Sequence, residues 1–440
     1  MTNANHWKNW AENVESRPKN IFFPHSETEL QTIVAQAAAQ NQSVRVMGAG
    51  HSFTPLGETN SVMIFLTNLS GLVEVNKTEK QASFWAGTTI NQIGKLLAPH
   101  QLAMANMGDI DVQSIAGATS TGTHGTGINF GSIATQIVSF RLLTANGEIL
   151  TCNAAENADI WAGGRVSLGC LGIITQITLQ LVDAFKLKYQ AEKADFETTL
   201  LNLESYKKNN RNFEFYWFPH TDTVQLKFNN ETQEPIKDNP VSRYINQNIM
   251  ENTVFSLICG VGKLFKNSYR RISKIIAWGV GKEERINQSW AIFASPRRVK
   301  FREMEYNIPA EHFAAVIREV KSYLEKENMP IFFPLECRWA QADDIWLSPA
   351  FGRDSAYIAF HVYKGIDCEP YFKAMEAICN RYEGRPHWGK MHTRQAADLE
   401  KLYPKWADFQ QIRERLDPQG LFLNPYLAAM LGLKSAALVK

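Results

Sequence analysis

An acidic and a basic residue two positions apart, Glu336 and Arg338, are the side chains best placed to act on a substrate. They lie in Leu335-Glu-Cys-Arg-Trp339, which reads as a β-strand, and side chains two residues apart in a strand point to the same face. The pair would hold the carboxylate ionised and would offer an acceptor and a fixed positive charge to a polyol. A surface ion pair is the commoner fate of such residues. The apolar residues on the opposite face nevertheless indicate a buried strand, where an unused charged pair is costly.

A glycine-rich turn follows a short β-branched run in Val44-Arg-Val-Met-Gly-Ala-Gly-His-Ser52. Gly48 and Gly50 can adopt positive φ and let backbone N–H groups close on an anion. His51 follows directly and would reach whatever the turn binds. By itself this turn is weak evidence, because it lacks the third glycine of the dinucleotide fingerprint and an ordinary strand-to-loop turn is more frequent.

A second glycine-rich stretch runs from Ile115 to Gly127 and contains five consecutive small residues from Gly117 to Thr121. Backbone and hydroxyl donors of this kind suit a pyrophosphate and a ribityl chain. A tight structural loop is the alternative, but two such loops in one domain favour a large phosphorylated cofactor. No partner ligands follow His124 at a useful spacing, so we expect no metal site.

The composition is that of an ordinary globular protein. Of the 440 residues 45% are hydrophobic and 20% charged, with a net charge of +2, so two or three domains are expected and a nucleic-acid partner is not. The six cysteines show no paired spacing, which argues against structural disulfides and a zinc site. The N-terminus has no apolar signal region, and we expect a cytoplasmic protein without a transmembrane span.

The pattern of predicted elements divides the chain in three. Residues 20–182 alternate strands and helices, with a capping box at Ser26 and a hairpin turn at Asn146-Gly147. From about residue 185 longer alternating strands and long helices predict an antiparallel sheet. We therefore predict an α+β fold with a nucleotide-binding domain over 1–183, a substrate (cap) domain with an antiparallel sheet and flanking helices over 184–410, and a C-terminal segment over 411–440 that returns to the first domain.

The segment 252–282 predicts a basic amphipathic helix. It has six basic and no acidic residues between Lys263 and Lys282, both included. Such a helix can lie on an anionic membrane surface, or it can pack on the domain with its lysines solvated. The apolar run is too short to span a bilayer. Apolar residues recur at helical spacing at Val254, Ile258, Val261, Phe265, Tyr269, Ile272 and Ile276.

Together, Gly48–Ser52, Thr121–Gly127 and Gly169–Ile174 resemble the FAD domain of the vanillyl-alcohol-oxidase superfamily, which has the PCMH-type fold. Arg385-Pro-His-Trp-Gly-Lys390 and Leu416–Asn424 resemble, more narrowly, the sugar-1,4-lactone oxidoreductases. These are the gulonolactone oxidases, arabinonolactone oxidases and galactonolactone dehydrogenases, with alditol oxidases as near relatives. The resemblance covers nearly the whole chain and is weakest at 230–300.

For the cofactor, the resemblance implies FAD attached covalently to His51 through the C8 methyl group of the ring. It implies that Met47–Ser52 and Ser114–Gly127 hold the pyrophosphate and ribityl chain, and that Ile173 or Ile174 lies by the adenine. The cofactor-binding residues expected on this basis are Met47, Gly48, Ala49, Gly50, His51, Ser52, Gly108, Asp109, Ser114, Gly117, Ala118, Ser120, Gly122, Thr123, His124, Gly125, Ile173, Ile174, His387 and Lys390.

For catalysis, the resemblance implies that Glu336 and Arg338 bind substrate hydroxyls, with Glu336 as the base. Lys390 would stabilise the charge that develops at the N1–C2=O edge of the flavin when it accepts hydride at N5. His361 either shares this pocket or is a satisfied strand histidine. Gly108 stands where dehydrogenase members carry alanine, which favours an oxidase that reacts with O2 and releases hydrogen peroxide.

The expected reaction is oxidation of L-gulono-, L-galactono- or D-arabinono-1,4-lactone at C2, giving an ascorbate-type product. The segment Ala359-Phe-His361 is more similar to the alditol oxidases, which leaves a xylitol or sorbitol oxidase as an alternative. A lactone dehydrogenase with another electron acceptor is a second alternative. A non-catalytic flavin- or nucleotide-binding protein is a third, and the set Glu336, Arg338 and Lys390 argues against it.

Overall fold

The computed structural model describes residues 5–244, 252–253, 255–265, 268–295 and 297–433. Two sheets form the scaffold of the N-terminal part. In the first, three parallel strands lie in the order Asn20–Phe22, Val62–Phe65, Val44–Met47. In the second, five antiparallel strands lie in the order Ile149–Asn153, Ile137–Leu143, Ile173–Gln180, Gln81–Trp85, Leu72–Asn76. The hairpin predicted at Asn146-Gly147 is confirmed, since the strands on either side pair antiparallel.

The second part of the chain forms one eight-stranded antiparallel sheet, which we call the cap sheet. Its strands lie in the order Glu283–Gln288, Lys186–Asp195, Thr223–Thr232, Asn212–Trp217, Leu335–Ala340, Ser355–Tyr363, Phe301–Pro309, Arg385–Pro386. Two short antiparallel pairs complete the described strands: Trp7–Lys8 with Glu15–Ser16, and Leu102–Ala103 with Val182–Asp183. The α+β architecture and the antiparallel cap sheet are confirmed.

Helices cover the sheets. The α-helices are Glu27–Ala39, Ile90–Leu97, Ile115–Ser120, Ala158–Gly164, Phe196–Leu201, Leu203–Asn209, Pro240–Tyr244, Phe255–Leu264, Tyr269–Gly279, Ser289–Phe293, Phe313–Lys326, Glu369–Asn380, Ala396–Leu402, Trp406–Leu416 and Pro425–Met430. Short 3-10 turns lie at Pro55–Gly57, Ala98–His100, Ile133–Gln136 and Ala310–His312. The predicted start of the first helix is confirmed, because Ser26 Oγ accepts a hydrogen bond from the Glu29 N–H at 3.1 Å.

Two hydrophobic cores hold these layers together. The first joins the two N-terminal sheets to the helices of the C-terminal segment, which contributes Phe409, Ile412, Phe422 and Leu427. Trp388, Leu399 and Tyr403 belong to the same core, and residues 434–440 lie outside the described part. The second core fills the space between one face of the cap sheet and helices Phe313–Lys326 and Glu369–Asn380. On the other face, Leu187, Tyr189 and Ala191 pack into the first core, and strands nearer the middle of the sheet line the site.

The segment 252–282 forms two helices, Phe255–Leu264 and Tyr269–Gly279, and not the single helix that the spacing predicts. Cys259 and Ile272 are buried in a small core with Phe301 and Phe332. Val254 and the side chain of Val261 lie outside the described residues. Nowhere in the described ranges is a helix both long and apolar enough to cross a bilayer.

Candidate active site

Strand alternation builds one polar face from four neighbouring strands of the cap sheet. In Asn212–Trp217 and Leu335–Ala340 the residues Phe213, Phe215, Cys337 and Trp339 enter the second core. Their neighbours in sequence therefore point to the opposite face, because consecutive side chains alternate. The residues presented there that line the cavity beyond are Tyr216, Glu303, Glu305, Glu336, Arg338 and His361.

The strand register sets these side chains side by side. Tyr216 lies opposite Glu336, which lies opposite Ala359, which in turn lies opposite Glu305. Ala359 has only a methyl group, so the sheet leaves space between the two carboxylates. A cavity of about 140 Å³ lies over this face, and the N-terminal part closes it with residues that include His51, Gly108 and His124.

Arg338 is the centre of a buried cluster of charges. Its Nη2 contacts Oε1 of Glu336 and lies 2.7 Å from Oδ2 of Asp109. Its Nε donates to Oε2 of Glu214 at 2.8 Å. Burial raises the pKa of Glu214 to about 7, against the opposing charge of Arg338. Burial would also raise the pKa of Asp109, but the charges of Arg338 and Arg297 lower it to about 2.

Lys390 faces the same cavity from the loop after Arg385–Pro386. Its Nζ lies 2.5 Å from Oε2 of Glu303, and the other oxygen of Glu303 lies 3.6 Å from Nε2 of His361. Nδ1 of His361 donates to the Pro334 carbonyl at 3.0 Å. Burial would raise the pKa of Glu303, but the charge of Lys390 lowers it to about 2. The cation and the histidine thus share one ionised carboxylate.

A second buried acid–histidine pair lies beside the first. Nε2 of His124 lies 3.0 Å from Oε1 of Glu305, and its Nδ1 lies 2.8 Å from the carbonyl oxygen of Gly125. Both partners are hydrogen-bond acceptors, so His124 is held between a carboxylate and a backbone carbonyl. Nδ1 of His387 accepts from the Gly389 N–H at 3.1 Å, and burial lowers the pKa of His387 to about 3.

Three of these side chains come close enough to bind a metal together. Ligand atoms of His124, Glu305 and His387 lie within 4.8 Å of one another, which the sequence spacing alone did not indicate. The nitrogen atoms Nε2 of His124 and Nδ1 of His387 are already used in the hydrogen bonds above. These hydrogen bonds compete with a metal for the same atoms, and we propose no metal there.

A groove of about 370 Å³ continues from the cavity into the N-terminal domain, and we call it the FAD groove. His51 and Ser52 line both the cavity and the groove, so the two spaces meet there. The expected cofactor residues that line the groove are Met47, Gly48, Ala49, Gly50, His51, Ser52, Ser114, Gly117, Ser120, Ile173 and Ile174. Those that line the cavity are His51, Ser52, Gly108, Asp109, Thr123, His124, His387 and Lys390.

Three expected cofactor residues line neither the groove nor the cavity. Ala118 is fully buried in the first core. Gly122 has φ +74° and lies against Pro349, while a side chain at Gly125 would meet the carbonyl oxygen of Met107 at 2.1 Å. Their small size serves the packing of the loop around the site.

The groove fits FAD because its two glycine-rich walls approach each other closely. A Cβ atom on Gly48 would lie 2.6 Å from Ser114 Oγ and 3.9 Å from the Cα of Gly117. Gly50 has φ +70°, a conformation that favours glycine. Side chains at these positions would fill the space that a pyrophosphate needs, and the backbone N–H groups there suit an anion.

His51 lies in an environment that keeps its ring neutral. Its ring stacks on Trp10, with centroids 5.3 Å apart and an interplanar angle of 20°. Burial, together with the charges of Lys390 and Lys300, lowers the pKa of His51 to about 4. A neutral imidazole has a free lone pair, which covalent attachment to a flavin would require.

Two family models match the chain. The FAD binding domain matches residues 18–153, and the D-arabinono-1,4-lactone oxidase family matches residues 177–430. The second match covers more than half of the chain. The chain belongs to the D-arabinono-1,4-lactone oxidase family. It is therefore an FAD-dependent oxidoreductase that acts on a CH–OH group.

Full-length relatives agree with this family. L-gulono-1,4-lactone dehydrogenase of Mycobacterium tuberculosis is 39% identical over 97% of this chain and 99% of its own length. Bovine L-gulonolactone oxidase is 34% identical over 96% of this chain and 97% of its own length. A crystal structure of cholesterol oxidase from B. sterolicum has a TM-score of 0.78 at 17% identity, covering 97% of this chain and 96% of its own. This last likeness confirms the fold alone.

The sequence did not identify Glu214, Tyr216, Arg297, Glu303 or Glu305 as site residues. A signal for four of them is present: Phe213-Glu-Phe-Tyr-Trp217 and Arg302-Glu-Met-Glu-Tyr306 both place acidic or phenolic side chains on one face and large apolar ones on the other. A carboxylate alternating with core residues faces either solvent or a site, and these are buried.

Proposed function

We propose that this protein oxidises the C2 hydroxyl of a sugar-1,4-lactone of the L-gulono-, L-galactono- or D-arabinono- type. O2 is the proposed electron acceptor, with hydrogen peroxide and an ascorbate-type lactone as products. The observation that carries the proposal is that Glu336 and Arg338 share one cavity with Lys390, and that this cavity meets the FAD groove at His51. The names of the two relatives support the same substrate class.

Each side chain has a role that its surroundings support. When bound, FAD accepts the hydride from the substrate carbon. Glu336 takes the proton of the C2 hydroxyl, since its side chain lines the cavity, and its contact with Arg338 holds the two groups side by side. Arg338 binds the lactone oxygens as a fixed cation. Lys390 stabilises negative charge at the other side of the cavity, and His361 positions Glu303 against it.

Reduction of the flavin by candidate substrates tests the proposal directly. The purified holoprotein is mixed without oxygen with gulonolactone, arabinonolactone or xylitol, and the flavin absorbance near its visible maximum is followed before air is admitted. We expect at least one lactone to bleach the flavin, and air to restore the colour with one peroxide per lactone. Lack of bleaching by all three compounds would refute both the lactone and the alditol as the substrate proposed here.

An alditol is the second candidate substrate. Ala359 is the smallest of the four residues that lie side by side in the register from Tyr216 to Glu305. A small side chain next to Glu336 suits an open-chain alditol, which is more flexible than a lactone ring. The same experiment separates the two: faster bleaching by xylitol than by the lactones would favour the alditol. A flavin that dyes reoxidise but O2 does not would identify a dehydrogenase.

We also propose that His51 carries FAD covalently. Support comes from its position where groove and cavity meet and from its neutral ring. Acid precipitation of the wild-type protein should leave the flavin with the pellet, and a denaturing gel should show a fluorescent band. His51→Ala should release the flavin into the supernatant. Release from the wild type as well would rule out the covalent link.

Finally, we propose that the helices within 255–279 contact a membrane surface. Their outer side exposes large apolar side chains, and lysines and arginines surround them. Trp278 is 82% exposed and Leu264 78% exposed. Exposed aromatic and aliphatic side chains among basic ones favour an anionic lipid surface over water.

A further inference from the structure

We propose that Asp109 is a positioning residue for Arg338: it holds the guanidinium in place for the substrate and prevents it from closing fully on Glu336. This inference rests on the proposed function, since it takes Glu336 as the proton acceptor and Arg338 as the substrate-binding cation. It gives Asp109 a role toward the substrate side of the site instead of toward the cofactor.

Asp109 reaches the cap sheet from the N-terminal domain. It lies in the loop between Leu102–Ala103 and Ile115–Ser120, and its carbonyl oxygen accepts a hydrogen bond from the Ser295 N–H at 3.1 Å. This backbone bond anchors the loop independently of the side chain. The carboxylate is therefore free to serve the site, and a substitution there leaves the loop attached.

One oxygen atom of Asp109 collects several donors. Oδ2 lies 2.7 Å from Nη2 of Arg338 and 2.8 Å from Nη2 of Arg297. The hydroxyl of Tyr216 lies 3.4 Å from the same oxygen and 3.1 Å from Arg297 Nη2. Two guanidinium groups thus meet at one carboxylate, which neutralises part of the charge of each.

Two carboxylates on different elements fix the orientation of Arg338. Glu214, on the neighbouring strand, accepts from Nε at 2.8 Å, while Asp109 faces Nη2. Glu336 contacts the same Nη2. A guanidinium binds a carboxylate most strongly with two parallel N–H groups. Without Asp109, Nη2 of Arg338 would lose one of its two carboxylate partners and turn fully to Glu336, which would then be less available to the substrate.

The substitution Asp109→Asn changes charge with little change in shape. The amide oxygen can still accept one hydrogen bond, but Arg338 and Arg297 then face each other without the negative charge between them. Lys227, 3.8 Å from Glu214 Oε1, adds a further cation on the same side. The expected consequence is a displaced Arg338, since like charges in a buried site repel strongly.

A double-mutant cycle tests the positioning role. In D109N we expect kcat/KM for the lactone that reduces the wild-type flavin to fall by at least about tenfold. In the Arg338→Lys background, Asp109→Asn should lower kcat/KM by less than about twofold, because lysine lacks the guanidinium group that Asp109 positions. Asp159→Asn is the matched control: Asp159 pairs with Arg415 at 2.6 Å on the surface, and its loss should leave activity unchanged.

A binding measurement complements the kinetics. The 2-deoxy lactone, which lacks the reacting hydroxyl, is titrated into the oxidised holoprotein, and its affinity is read from the perturbed flavin spectrum. We expect D109N to weaken binding by about tenfold with flavin content unchanged. If D109N does not retain flavin, Asp109→Glu and Asp109→Gln replace it, and the charged variant should exceed the neutral one by about tenfold in kcat/KM.

The outcomes separate the inference from the proposed function. A wild-type flavin that no lactone reduces overturns both. A wild-type flavin that a lactone reduces, with D109N within twofold of wild type or equally impaired in both backgrounds, overturns only the positioning role. Equal activity of the glutamate and glutamine variants does the same.

Discussion

Nζ of Lys390 lies 2.5 Å from Oε2 of Glu303, so this cation of the cavity is already paired with a buried carboxylate. Its positive charge is therefore only partly available to an electron-rich flavin. Glu303 also faces His361, which lies opposite it in the strand register. The charge of Glu303 therefore determines how strongly Lys390 can stabilise negative charge on a bound flavin.

Replacing Glu303 by glutamine should raise the reduction potential of the bound flavin. The variant leaves the charge of Lys390 unbalanced, which favours the reduced, more negative flavin, and we expect a rise of about 30 mV for the two-electron couple. Equilibration with a reference dye measures it. Glu197→Gln removes a carboxylate from an exposed pair with Arg318 and serves as the control. An unchanged or lowered potential would contradict the assignment of Lys390.

The same variant should alter acid stability. The charge of Lys390 holds the pKa of Glu303 at about 2 despite its burial, whereas the ordinary value is 4.5. The stabilisation is thus present above about pH 4.5 and is lost as the pH falls towards 2, because the unfolded chain then binds the proton more readily. Between pH 5 and 3 the thermal midpoint should fall more steeply for the wild type than for E303Q. Parallel curves would show that the pair contributes nothing.

A methyl group at Gly108 should slow the reaction with O2. The added Cβ would lie 2.9 Å from the carbonyl oxygen of His124, so it would crowd the wall of the cavity. We expect flavin reduction by the lactone to change little and reoxidation by O2 to slow by about tenfold, both measured by stopped-flow absorbance. Gly281→Ala, which meets no atom within 4 Å, is the matched control. Equal reoxidation rates would exclude Gly108 as a determinant of oxygen access.

Membrane contact should depend on the exposed apolar side chains of the two helices. Phe265→Ser and Trp278→Ser together should lower binding to vesicles of anionic phosphatidylglycerol and phosphatidylcholine by about tenfold or more, since each loses buried apolar area. Co-sedimentation measures this. Leu201→Ser, at an 82% exposed position on another helix, should bind like the wild type. Equal sedimentation of all three proteins, or none by the wild type, would refute the proposal.

Local sequence patterns correctly predicted those features of the site that depend only on residues close together in the chain. Strand alternation placed Glu336 and Arg338 on one face, and glycine spacing located both walls of the FAD groove. Leu335–Ala340 pairs with Asn212–Trp217, which lies more than a hundred residues earlier in the chain, and Glu305 reaches the site from Phe301–Pro309, two strands away in the sheet. Glu214 and Glu305 became neighbours of the site only through this arrangement of strands, so the sequence did not identify them.

The amphipathic segment 252–282 shows that a correct local prediction can still miss how a helix is divided and covered. Its apolar spacing indicated helix correctly but not the separation into Phe255–Leu264 and Tyr269–Gly279. Nor does spacing tell which apolar residues are covered. Ile272 is buried against Phe301 and Phe332, whereas Trp278 on the same helix is exposed. The shape of the surface beneath the helix decides this, and it is formed by distant parts of the chain.

The strand Ser355–Tyr363 divides two tasks between alternate residues. Ile358 and Phe360 belong to the hydrophobic core, while Ala359 and His361 lie on the opposite face, where His361 lines the cavity. A substitution at position 359, between Glu336 and Glu305 in the register, therefore changes the spacing of two cavity residues while the core on the reverse side keeps its packing. A single strand of this kind lets one scaffold exchange one sugar for another without weakening the fold that carries it.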